Sequence, residues 1–282
     1  MADINWYPGH MARARRLLEP QIRAVDAVIE LCDARAPSAT RNPDLNMLTR
    51  GKARVLVLNK ADLANDGVTQ QWLAHFRAQG LRALKCNATG GKTRDILAMI
   101  EELSAPSVER MRARGANKTV RMMIIGIPNV GKSTFINRIR GRSIAKTSDR
   151  PGVTRANQWV KIGQYLELLD TPGMLWPKLD VQSDAKLLAY LGSIRDQIMD
   201  SESLAEELLR LLSSIDWKAT SARFQLTEES LNAPSLLEEA CRGRGWLLSG
   251  GRLDTDRGAA LVLDEFRAGR VGRISLQRPV KS

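Results

Sequence analysis

The segment Gly126-Ile127-Pro128-Asn129-Val130-Gly131-Lys132-Ser133 has the spacing GxxxxGK[ST]. It follows an apolar run, Val120 to Ile125, and opens a helical stretch, Thr134 to Ile139, which is the setting this spacing requires. Glycines let the loop wrap, so that backbone N–H groups from Asn129 through Val130, Gly131 and Lys132 to Ser133 and Thr134 can face one anion, backed by the positive end of the helix. That chemistry suits a phosphate chain. Lys132 would reach the β- and γ-phosphates and the Ser133 hydroxyl would sit on a Mg²⁺ ion. The alternative is a glycine-rich turn capped by serine.

Two weaker signals lie downstream. Leu166 to Leu169 runs into Asp170-Thr171-Pro172-Gly173, a DxxG at a strand end. Asp170 can hold a water of the Mg²⁺ shell, while the Gly173 N–H can sense the γ-phosphate. Between the two motifs, Thr154 of Pro151-Gly152-Val153-Thr154 offers a hydroxyl able to close on the same ion and phosphate. Taken singly, DxxG reads as a turn and Thr154 as a strand or cap residue.

Asn59-Lys60-Ala61-Asp62 follows the run Arg54 to Leu58 and matches NKxD. Guanine presents N1–H and N2–H₂ as adjacent donors, which an ionised Asp62 can accept together. Adenine has no such pair, and binding it would leave the carboxylate unpaired. Asn59 can serve the O6/N7 side and tie the loop down, and the Lys60 stem can cover the base. Beside Cys86, Asn87 and Ala88 stand at another strand end, where the Ala88 N–H can meet guanine O6. The competing reading of NKxD is a helix N-cap after a strand.

These residues need a scaffold of strands. Apolar, β-branched runs at Ala27 to Asp33, Arg54 to Leu58, Leu81 to Cys86, Val120 to Gly126, Gln158 to Ile162 and Tyr165 to Leu169 alternate with helical stretches. The expected fold is α/β, a mostly parallel doubly wound sheet. Only Gly163 and Gln164 separate the last two runs, too few for a crossover helix, so these two should pair as an antiparallel hairpin at an edge. The arginine-rich stretch from Ser104 to Arg121 lacks a clean apolar face and reads as a connector.

After about Gln182 only helical patterns remain, at Ser183 to Met199, Glu202 to Ile215, Ser235 to Leu247 and Asp254 to Arg267. The chain therefore divides at residues 1–180, with an N-terminal segment 1–24, and 181–282, a smaller all-helical domain. The tail carries Arg267, Arg270, Arg273, Arg278 and Lys281, with no acid after Glu265.

At 282 residues both domains can bury a core, and a net charge of +12 favours a polyanionic partner. No apolar run approaches the roughly 18 residues that span a bilayer. Cys32, Cys86 and Cys241 are widely spaced, so neither a zinc site nor a disulfide framework is expected, and a reduced, cytoplasmic setting fits.

In most regulatory GTPases the phosphate loop comes first, whereas here NKxD precedes it. Parallel strands with helical crossovers can be rejoined at old termini without altering the site, and the basic connector would be the new joint. With this order, with Asn5-Trp6-Tyr7-Pro8-Gly9-His10-Met11, with Asp33-Ala34-Arg35-Ala36-Pro37 and with Gly269-Arg270-Val271-Gly272-Arg273-Ile274-Ser275-Leu276, the sequence resembles the circularly permuted ribosome-assembly GTPases over nearly its whole length.

The resemblance implies a bacterial, cytoplasmic GTPase that binds the maturing large ribosomal subunit and its rRNA, hydrolyses GTP there and leaves. It implies GTP as substrate and Mg²⁺ as cofactor, with Lys132 and Thr154 taking part in catalysis. It adds a potassium ion beside the phosphates, held in part by Asn129, which by itself reads as a turn residue. Asn87-Ala88 departs from the Ser-Ala pair usual in GTPases. Where many GTPases place glutamine after DxxG, this chain has Met174, and the resemblance points instead to His10 as the residue that orients the attacking water. By sequence alone His10 reads as a turn residue or an RNA contact.

Between Lys132 and Lys161 the basic residues Arg138, Arg140, Arg142, Lys146, Arg150 and Arg155 face one acid, Asp149, and can track RNA phosphates. A monomer is expected, with neither membrane nor DNA as partner. Two other functions compete: a GTP-dependent rRNA chaperone with slow hydrolysis, and a small-subunit assembly GTPase, although the OB barrel and zinc cluster of that second group have no counterpart in the sequence.

Overall fold

The computed structural model describes residues 19–42, 45–90, 94–113, 115, 119–140, 158–162, 166–171, 182–194 and 200–280. His10, Thr154, Gly173, Met174 and the basic residues from Arg142 to Arg155 lie outside them.

β1 (Ala27–Asp33) is buried along its entire length, because β2 (Ala53–Asn59) and β4 (Val120–Ile125) flank it and helices cover both faces. With β3 (Arg82–Lys85), β5 (Gln158–Ile162) and β6 (Leu166–Asp170), the sheet runs β3-β2-β1-β4-β6-β5. Every pairing is parallel except β5 with β6, the edge hairpin expected from the two-residue separation. Alternate β1 side chains serve opposite faces. Ile29 and Leu31 pack with Phe135 and Ile136 of α5 (Lys132–Arg140) and with Ile100 of α4 (Arg94–Arg112). Cys32 faces the other way, toward Trp72 and Phe76 of α3 (Asp66–Ala78). The helical residues 19–24 (α1) and the short α2 (Leu45–Leu48) contribute Ile22 and Leu45 to that same side, under Val28.

The helical part follows from α6 (Gln182–Tyr190). The apolar stripe Leu204, Ala205, Leu208, Leu209, Leu212 of α7 (Ser201–Ile215) meets Ala259, Val262, Leu263 and Phe266 of α10 (Thr255–Arg267). α8 (Trp217–Phe224) and α9 (Leu236–Arg244) close the cluster through Phe224, Leu237 and Ala240. Its apolar core also takes in Ala36 and Ala39, which follow β1, so the helices are built onto the sheet.

Several boundaries differ from expectation. α4 runs through the supposed connector to Arg112, carrying Pro106 inside it, because Val108 still packs on the core after the main apolar face ends at Leu103. α6 stops at Tyr190, and Gly192 takes a φ of +69° where a helix to Met199 was expected. α9 ends three residues early because Gly245 adopts the left-handed conformation at φ 66°. α8 was not anticipated. Asp216 both ends α7, with its N–H donating to the Leu212 carbonyl, and caps α8 by accepting from the Ala219 N–H, so one residue divides the helices without glycine or proline.

Candidate functional site

All the motif residues that the structure describes stand at the carboxyl edge of the sheet. Asn59 ends β2 opposite Asp33 of β1, Cys86 to Ala88 follow β3, the phosphate loop follows β4, and Asp170 ends β6 opposite Ile124. β1 leads to β2 on one side while β4 lies on the other, which makes this edge the reversal point where open α/β sheets bind ligands.

The two separate motifs touch. Asn59 Nδ2 donates to the Val130 carbonyl at 2.8 Å, and its Oδ1 accepts the Ala88 N–H at 3.1 Å. Asn59 thus ties three strand-end loops together. The Ala88 N–H expected to face guanine O6 lies at the same edge and donates to Asn59. Gly131 makes the approach possible: at φ +93°, a Cβ there would lie 2.5 Å from Asn59 Nδ2. Lys60, itself at φ 58°, donates from Nζ to the Asn129 carbonyl at 2.6 Å, a second link between the base loop and the phosphate loop. Asp62 is half-buried beside it. Asn87 Oδ1 accepts the N–H groups of Thr89 and Gly90 at 2.9 and 3.0 Å, which fixes its own loop.

Lys132 is buried, and its ammonium donates to the carbonyls of Gly126 and Ile127, each at 2.9 Å. Burial pulls its pKa down to about 8, with the Asp170 carboxylate working in the opposite direction. A phosphate oxygen arriving in the loop therefore has a pre-placed cation to capture and a nearby carboxylate to orient an ion or water. Ser133 and Thr134 are exposed on the first turn of α5, where their hydroxyls and N–H groups can meet such a ligand. Among the described residues no group of three or more His, Cys, Asp and Glu could hold a metal. An ion held by Ser133, phosphate oxygens and water needs no such group. Asn129 takes φ 63° and donates from Nδ2 to the carbonyl of Gly192 after α6.

Asp33 and Arg35 carry a role that the sequence motifs do not announce. Asp33 is buried and receives Arg35 Nε at 2.9 Å and Nη2 at 2.8 Å, with Lys60 Nζ at 3.2 Å. Burial favours the neutral acid, but Arg35 and Lys60 outweigh it and hold the carboxyl well below the usual carboxylate range. Arg35 Nη1 also donates to the carbonyls of Phe266 and Arg267 at the end of α10. A signal was present: an acid at the end of a largely apolar strand, with an arginine two residues on, must pair with something. The basic tail is likewise partly committed. Arg267 donates to the carbonyls of Tyr190 and Ala189, and Arg273 to those of Ala64 and Ala61.

A family model described as "50S ribosome-binding GTPase" matches residues 121–231. "Ribosome biogenesis GTPase A" of Priestia megaterium is 44% identical over 98% of this chain and 97% of its own length. The protein of the same name from Bacillus cereus is 42% identical over 98% of this chain and 94% of its own. The solved structure of GNP-bound YlqF from T. maritima superposes with a TM-score of 0.66 at 26% identity, covering 95% of this chain and 98% of that one. With near full-length identity at this level and the permuted motif order on one sheet edge, the chain belongs to the ribosome biogenesis GTPase A family, and its fold is that of a circularly permuted P-loop GTPase.

Proposed function

We propose that this protein binds GTP with Mg²⁺ at the carboxyl edge of the sheet and acts as an assembly factor for the large ribosomal subunit, whose particle accelerates hydrolysis. The observation that carries this reading is the joining of the base loop to the phosphate loop by Asn59 and Lys60, in a chain of this family. Asp62 accepts the guanine N1–H and N2–H₂, with Asn59, Lys60 and the Asn87–Ala88 loop shaping the base pocket. The loop from Asn129 to Thr134 holds the phosphates. Ser133, Thr154 and Asp170 serve Mg²⁺, Asn129 offers its amide oxygen to potassium, and Gly173 reads the γ-phosphate. His10 orients the attacking water. The net charge of +12 supports rRNA as the contacted surface. A cytoplasmic monomer that binds neither membrane nor DNA completes the reading. No helix among the described residues is long and apolar enough to cross a membrane.

Single-turnover GTP hydrolysis with and without large-subunit particles tests this function. Wild-type protein should hydrolyse GTP markedly faster with the particle, and His10→Ala should keep GTP binding and particle docking yet lose most of the acceleration. An unaccelerated wild type would favour a slow-hydrolysing rRNA chaperone, and acceleration by small-subunit particles alone would move the partner. For the base pocket, Asp62→Asn should shift preference from GTP toward xanthosine triphosphate, whose 2-oxo group suits an amide donor. Unchanged GTP preference in competition binding would remove Asp62 from the base site.

A further inference from the structure

The carboxyl-terminal segment after α10 returns to the sheet and lies against the loop that carries NKxD. Gly269 makes the turn at φ +72°, and a Cβ there would come within 2.5 Å of Leu63 Cδ2, so the side chain of the residue after Asp62 packs directly on the tail. Arg273 then donates from Nε to the Ala64 carbonyl at 3.2 Å and from Nη2 to the Ala61 carbonyl at 3.3 Å. One guanidinium therefore spans the chain on both sides of Asp62. The Ile274 N–H donates to the Leu63 carbonyl at 3.1 Å, and Ser275 Oγ accepts the Asn65 N–H at 3.1 Å. Beyond them, the Leu276 N–H donates to the Arg35 carbonyl at 2.7 Å, and Trp72 Nε1 donates to the Gln277 carbonyl at 3.1 Å.

From Ala61 to Asn65 the loop has one hydrogen bond to the neighbouring strand-end loop, Ala61 N–H to the Cys86 carbonyl at 3.1 Å, one internal bond, Leu63 N–H to the Lys60 carbonyl at 2.9 Å, and, at Asn65 alone, the bonds that cap α3 from Val68 N–H, Thr69 N–H and Thr69 Oγ1. Four more bonds to these residues involve the tail, two made by Arg273 and one each by Ile274 and Ser275, and between Ala61 and Ala64 the tail supplies the majority. A loop that must present one carboxylate to two adjacent donors needs its backbone held closely, since bidentate recognition loses strength with small displacements.

We propose that Arg273 and Ser275 are positioning residues for guanine recognition: the carboxyl-terminal strap clamps the base loop, so that guanine binding and docking of the strap are thermodynamically linked. The proposal rests on the reading of Asp62 as the guanine acceptor. Because linkage is reciprocal, guanine nucleotide tightens the strap to the same extent that the strap tightens nucleotide. An event that pulled the helical part and its tail away from the sheet would loosen the base pocket without touching the phosphate loop.

The test measures GDP and IDP affinity by competition binding in the wild type, Arg273→Ala and Ser275→Ala, with tripolyphosphate as a probe of the phosphate loop alone. IDP lacks the N2 amine and so reports the second donor that Asp62 accepts. Expected are a GDP affinity lowered about fivefold in Arg273→Ala, a smaller loss in Ser275→Ala, a reduced GDP-to-IDP ratio in both, and unchanged tripolyphosphate affinity. Arg273 is exposed, so the variant is expected to fold, and Arg273→Lys, which cannot span two carbonyls as a planar fork, should recover only part of the loss. Hydrogen exchange of the Ile274 and Leu276 amides should slow in wild-type protein on adding GDP. Retained GDP-to-IDP discrimination in both variants, or strap amides indifferent to GDP, would overturn the clamp. A wild type that does not prefer GDP over IDP would instead overturn the Asp62 reading on which it rests.

Discussion

Lys132→Ala should weaken GDP and GTP binding by about 100-fold, because a charge-assisted bond to phosphate in a buried site is worth roughly 2–5 kcal/mol. The ammonium is already enclosed, donating to the Gly126 and Ile127 carbonyls at 2.9 Å, so nucleotide binding adds an anion to a cation whose desolvation has been met in folding. Burial holds its pKa near 8 in the unliganded protein, with Asp170 resisting the shift. A bound phosphate would push it back up. Below about 8 the lysine is mostly charged and binding needs no proton, whereas above about 8 each binding event must take one up. Affinity should therefore fall as pH rises from 7.5 to 8.8, with proton uptake visible in calorimetry when buffers of different ionisation enthalpy are exchanged. Lys132→Arg, which cannot lose its charge, should show no such uptake. A Lys132→Ala variant with wild-type affinity, or uptake that is the same in Lys132→Arg, would remove this lysine from the phosphate site.

How far the sequence foretold this depends on how local each signal was. β1 and β5 lie where the apolar runs put them, and the edge hairpin followed from a two-residue separation that only an antiparallel turn can bridge. NKxD and the phosphate loop were readable because each is a short spacing with one physical purpose. Their contact was not, since Asn59 and Val130 are 71 positions apart and nothing local records that they meet. The same limit hid the strap. Arg273 reads as one more positive charge in a basic tail, and only tertiary structure turns it onto carbonyls 209 and 212 positions away. Helix boundaries failed for a different reason. Asp216 serves two helices at once, and exposed turns of α4 continue where the apolar pattern that would announce them has ended.

Arg35→Ala should destabilise the fold by roughly 3–5 kcal/mol, the range for removing one partner of a buried ion pair. The guanidinium, 1% exposed, makes a bidentate pair with Asp33 and caps the carbonyls of Phe266 and Arg267. Without it, Asp33 keeps Lys60 at 3.2 Å and the backbone N–H of residue 35 at 3.0 Å, the Phe266 and Arg267 carbonyls each lose a donor, and a cation stacked 5.1 Å from the Phe266 ring is replaced by a void. Asp33→Ala/Arg35→Ala together should be less damaging than the sum of the single changes, because no uncompensated charge remains buried. The pH dependence follows with a definite sign. In the wild type the Asp33 carboxyl titrates below its unfolded value of about 3.9, so its contribution is present above that value and is lost only as pH falls through the lower, folded one. Removing Arg35 leaves burial as the larger influence and raises the folded pKa, so the single variant should lose further stability at a higher pH than the wild type does. Thermal denaturation of the wild type, both single variants and the double variant between about pH 2 and 8 reads this directly. Lys60, drawn toward the uncovered Asp33, should in turn give up part of its bond to the Asn129 carbonyl, so that GDP affinity falls in Arg35→Ala at temperatures well below its midpoint. A single variant within about 1 kcal/mol of the wild type, with an unmoved acid limb, would mean that this buried pair does not join the sheet to the helices.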